Sequence, residues 1–88
     1  MSEIKSLHDA YRKIISVSHS RVGKRSLGID YAALYAKYGL ELPNATSRET
    51  VTQEARTQAL YVRSNLSGWR GDEAKVVKAL LDKITGKA

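Results

Sequence analysis

His8 and His19 are the two side chains of this sequence whose ordinary titration falls near neutral pH, and their spacing limits what they can do. They lie eleven residues apart on one helical pattern, hence on one face but about 16 Å apart along the axis. Metal–nitrogen bonds are about 2 Å long, so a single ion cannot take both. Neither sits in a hydroxyl–acid arrangement that suggests a triad, and both are expected to be boundary residues beside an apolar stripe. Gly23-Lys24-Arg25-Ser26 has the flavour of a phosphate loop, but that motif needs an earlier glycine where Ser18 stands and Ser or Thr where Arg25 stands. It also follows a strand, and the segment before Gly23 is helical. Nucleotide binding of that kind is therefore not expected, and neither a metal nor a cofactor is called for.

What remains is basic and aromatic chemistry. Arg21, Lys24 and Arg25, with His19 close by, place several cations on a glycine-containing loop with little acid around them. Contacts to phosphate need charge and reach but no fixed geometry, so this loop is a candidate contact surface as well as an ordinary solvated loop. Arg56 and Arg63 are seven residues apart and project together, with Leu60 slightly beyond them. An exposed leucine between two arginines is either an interface anchor with a charged rim or a residue packed against a neighbouring helix. Arg70 follows Trp69 in Ser67-Gly68-Trp69-Arg70-Gly71, where the tryptophan is expected to fold back and seal one end of the core. Tyr31, Tyr35 and Tyr38 share one helix face. Aromatics in a row can stack unpaired bases, but a core-packing role is the stronger expectation, because Ala32, Ala33 and Ala36 on the other side look too small to anchor a helix.

The acids form no paired-carboxylate site. Asp72-Glu73 suits the first turn of a helix, and Glu49 suits the third helical position of a capping box begun by Thr46. Without a nucleophile–base pattern the chain is expected to be non-enzymatic.

Four amphipathic patterns would position these residues. Ile4, Leu7, Tyr11, Ile14, Ile15, Ser18 and Val22 recur at helical spacing, with Ser2 as a plausible N-cap. The spacing predicts helices over about 3–21, 30–38, 47–66 and 72–85, joined by the basic loop 21–28 and a loop over 39–46. Asp30 would cap the second helix, and Gly39 would end it in the left-handed conformation. Pro43 keeps Leu42 out of a helix. The third stripe is Val51, Ala55, Val62 and Leu66; the fourth is Ala74, Val77, Leu80, Leu81 and Ile84. No run of alternating β-branched residues suggests a strand. The expected fold is all-α, a bundle of about four helices in a single domain over residues 1–88.

Composition bounds the function classes. The 88 residues carry no cysteine, which excludes disulfides and thiolate metal sites. No apolar run reaches the ~20 residues of a membrane span, and the first residues lack a basic signal region, so a cytoplasmic protein without membrane contact is expected. The formal charge is +6, shared evenly, since residues 1–44 hold seven bases and four acids and residues 45–88 hold eight and five. Such an excess favours nucleic acid or an acidic protein as partner. The sequence thus suggests a small basic regulator or accessory factor that contacts nucleic-acid backbone. The alternative is an inhibitor or assembly subunit that docks on a larger acidic protein, with a homodimer as a variant.

Overall fold

The computed structural model describes residues 4–20 and 27–86. Among the described residues the chain is all-helical: α1 (Leu7–Ser20), α2 (Leu27–Gly39), α3 (Gln53–Ser64) and α4 (Asp72–Thr85). Each helix packs on the next in chain order, and α4 returns to α1, which closes a four-helix bundle.

The core takes one stripe from every helix. Leu7, Ala10, Tyr11 and Ile14 come from α1, Ala55, Ala59 and Val62 from α3, and Ala74, Val77, Leu81 and Ile84 from α4. Leu66 and Trp69 fill the corner between α3 and α4, as the sequence suggested for the tryptophan. Ala10, which the sequence left on the shoulder of its stripe, is fully buried, whereas Leu80 sits at the core's margin.

The reading of α2 is largely reversed. Its buried face is Ile29, Ala32, Ala33 and Ala36. Of its tyrosines only Tyr35, half-buried, packs against the core as expected, while Tyr31 at 55% and Tyr38 at 62% exposure face outward. Small residues let α2 approach its neighbours closely, so a thin alanine face anchors it where large side chains would not fit. Tyr11 of α1 supplies the bulk: its ring lies against the backbone of Gly39.

Several boundaries also move. Ser6, not Ser2, starts α1: its hydroxyl accepts from the Asp9 amide at 3.2 Å. Ser2 itself lies outside the described residues. Three groups of the 42–45 segment meet the same first turn. The Leu7 amide donates to the Ala45 carbonyl at 2.7 Å. The His8 amide donates to Asn44 Oδ1 and His8 Nε2 donates to the Leu42 carbonyl, both at 2.8 Å. These bonds satisfy amides that a helix leaves without internal partners. His8 is thereby a structural tie, and it also stacks on Tyr11.

α2 begins at Leu27, so Asp30 is in its first turn rather than at its cap, and its carboxylate accepts from the Ser18 hydroxyl of α1. Gly39 is the last helical residue and lies outside the positive-φ region, so it is not the left-handed stop that the sequence suggested. The largest shift is in α3. Thr46 and Glu49 form no capping box; the Thr50 hydroxyl instead accepts from the Thr46 and Ser47 amides and donates to the Ser47 carbonyl, closing a tight turn. The helix starts six residues later than the expected 47, capped by Thr52, whose hydroxyl accepts from the Ala55 amide at 3.1 Å. α4 runs as expected from Asp72, and Gly86 closes it in the left-handed region at φ 79°.

Candidate nucleic-acid interface

α3 is the element around which the candidate residues arrange, because its two flanks carry different chemistry. One flank faces α2. There Gln58 Nε2 donates to the Tyr35 carbonyl at 2.8 Å, and Tyr61 stacks on Tyr35 with ring centroids 5.8 Å apart. Tyr61 remains 54% exposed, and with Tyr31, Leu34 and Tyr38 it forms an outward aromatic and apolar surface over α2 and α3. The i, i+3, i+4 and i+7 spacing of the α2 residues holds them on one side of that helix. Asp30, Lys37 and Glu41 border this face, so its own rim is of mixed charge.

The other flank faces α4 and is basic. Arg56 Nε donates to the Thr85 carbonyl at 2.9 Å. Arg63 Nε pairs with Asp82 Oδ1 at 3.0 Å, and both side chains are half-buried. Each arginine has five N–H donors, and these bonds take one from each, so both remain able to engage an anion. Further along, Lys78 Nζ donates to the Trp69 carbonyl at 2.6 Å. Its pKa is lowered, chiefly because burial disfavours the charge and then because the cations of Arg63 and Arg70 lie close. Three cations thus crowd the corner sealed by Trp69, and Arg70 is exposed there.

Arg56, Arg63 and Arg70 therefore lie along one side of the molecule. Leu60 is on the outer ridge of α3 with Gln53, Thr57 and Ser64, and it is half-buried rather than a protruding anchor. Arg21, Lys24 and Arg25 lie outside the described residues. His19 is exposed, and among the described residues no three His, Asp or Glu side chains gather in a way that would hold a metal ion. No helix among the described residues is long and apolar enough to cross a membrane.

Tyr61 escaped the sequence reading because it interrupts the polar side of its helix singly, and only the fold places it beside Tyr35. No family model, no curated protein and no solved structure matches this chain.

Proposed function

We propose that this protein is a non-enzymatic module that binds single-stranded nucleic acid, acting as a small regulator or accessory factor. The observation that carries the reading is the pairing of two surfaces across one helix. Tyr31, Tyr38 and Tyr61 are exposed on one flank of α3, and Arg56, Arg63 and Arg70 run along the other. Bases stack on aromatic rings with little regard to sequence, while the sugar–phosphate chain follows positive charge. A helix is about 10 Å across, so an unpaired strand crossing α3 would lay its bases on the tyrosines and its phosphates against the arginines. A duplex keeps its bases stacked internally and would use the arginines alone. The net charge of +6 supports an anionic partner and opposes close pairing of two copies.

The second reading is docking on a larger acidic protein, which the exposure of Leu34 and Val76 favours. Fluorescence-anisotropy titrations with labelled single- and double-stranded DNA and RNA separate the two. The expected result is preference for single strands, with log K falling against log salt by about 0.7 for each phosphate engaged. Absence of binding at low salt would overturn the nucleic-acid reading and turn attention to acidic proteins.

A further inference from the structure

Among the described residues a further basic feature joins Arg56, from the α4-facing flank of α3, to Arg48, which belongs to neither flank. Between the segment that precedes α3 and the end of α4 lies an open cleft of about 320 Å³, lined by Arg48, Val51, Gln53, Arg56, Thr85 and Gly86. Among the described residues no carboxylate lines it. Its size is at the lower end of the ~300–1,000 Å³ typical of small-ligand sites. We propose that this cleft is a binding site for a phosphate group, held between the guanidinium groups of Arg48 and Arg56.

Four observations support this ligand chemistry. First, Arg48 has no hydrogen-bond or ion-pair partner among the described residues, and its guanidinium carries five donors. Second, Arg56 is anchored through Nε to the Thr85 carbonyl, which fixes its stem while leaving its other donors unspent. Third, carbonyls at the end of α4 would repel an anion, and two of them are already occupied. Arg56 covers that of Thr85, and the Gly86 amide donates to that of Asp82. Fourth, Gly86 forms a flat floor under Arg48: a Cβ built on Gly86 would lie 3.5 Å from Arg48 Nε and 3.6 Å from Cζ. The guanidinium thus lies beside the Gly86 backbone at the edge of the cleft, on a side chain that stays exposed. Two planar forks on one cleft can each make paired bonds to phosphate oxygens, which a lysine point charge cannot.

The cleft shares Arg56 with the proposed strand-binding surface but uses neither its tyrosines nor Arg63 and Arg70, and Arg48 belongs to the cleft alone, so Arg48 variants distinguish the two readings. The test is a titration of the full chain with inorganic phosphate at constant ionic strength, followed by amide and arginine Nε–H resonances. Saturable shifts confined to Arg48, Gln53, Arg56 and Gly86 are expected. Arg48→Gln should weaken the affinity at least about tenfold, Arg48→Lys should recover only part of it, and Arg12→Gln on α1 should leave it unchanged. Shifts that rise without saturation, spread over all basic residues, or persist in Arg48→Gln would overturn the proposal. A second arm identifies the phosphate's source by comparing an oligonucleotide with and without a 5′-phosphate. A several-fold gain that Arg48→Gln abolishes assigns the cleft to a strand end. Equal affinities, with the inorganic phosphate site intact, assign it to a small phosphorylated ligand.

Discussion

The ring of Tyr11 lies against the backbone of Gly39, so closely that a Cβ at residue 39 would come within 2.8 Å of Cζ and nearer still to Cε2. Gly39 is therefore required by its neighbour and not by its own backbone angles. Both atoms in question belong to a ring that is fully buried and cannot swing aside. Gly39→Ala is expected to destabilise the bundle by about 1–3 kcal/mol, the usual cost of overpacking a filled core. Thermal unfolding followed by circular dichroism should register a drop of several degrees, and an unchanged midpoint would mean that α1 and α2 are not this close.

The Tyr11 hydroxyl is buried without a hydrogen-bond partner among the described residues. Burial pushes its pKa up, since the phenolate would be stranded without water. The native state therefore resists ionisation that the unfolded chain undergoes near pH 10, and stability should fall as pH rises beyond that value. Tyr11→Phe removes the unpartnered group while keeping the ring, so its melting midpoint should equal or exceed the parent's at neutral pH. The same variant should lose the alkaline decline. Asp9 behaves oppositely: the Lys5 amide, the largest cause, draws its pKa down, so its small stabilising effect is present above about pH 4 and lost in acid.

Two threonines separate the expected start of α3 from the observed one. Thr52→Ala should cost about 1 kcal/mol, because the hydroxyl that accepts from the Ala55 amide disappears. Thr46→Ala should be close to neutral, since its side chain caps nothing in the described structure. Urea unfolding of both variants checks this, and a larger loss for Thr46→Ala would restore the capping box.

Leu80 and Leu81 make a second paired comparison. Leu81 is fully buried and Leu80 only partly, although both belong to the apolar stripe read from the sequence. Leu81→Ala should cost about 2–5 kcal/mol, and Leu80→Ala clearly less. Equal losses would indicate a rotation of α4 about its axis.

Replacing the outward tyrosines tests the proposed interface without disturbing the core. Tyr31→Ala and Tyr38→Ala should leave the unfolding midpoint nearly unchanged, because both rings are more than half exposed. Each should weaken single-strand binding by about 1–3 kcal/mol, the value of one base–aromatic stack, and leave duplex binding alone. Tyr61→Ala should weaken binding similarly while costing a little stability, since it also loses its stack on Tyr35. Unaltered affinity in all three would remove the aromatic face from the binding surface.

The sequence by itself determined the helical class, the number of helices, most of the stripes of α1 and α4, the buried corner at Trp69 and the end at Gly86. Those features depend on local periodicity and on the conformations a residue type allows, and both are written along the chain. The tertiary structure alone decided which face of α2 is buried. That helix is apolar nearly all round, so periodicity offers two faces, and the choice falls to the volume that Tyr11 leaves between helices. It also decided where α3 begins, because the Thr50 turn and the docking of residues 42–45 on α1 compete with a good local capping pattern. The candidate surfaces followed the same division. Arg56 and Arg63 were legible as a pair from their spacing of seven. Tyr61 beside Tyr35, and Arg48 beside Arg56 across the end of α4, join residues distant in sequence and exist only once the helices have packed.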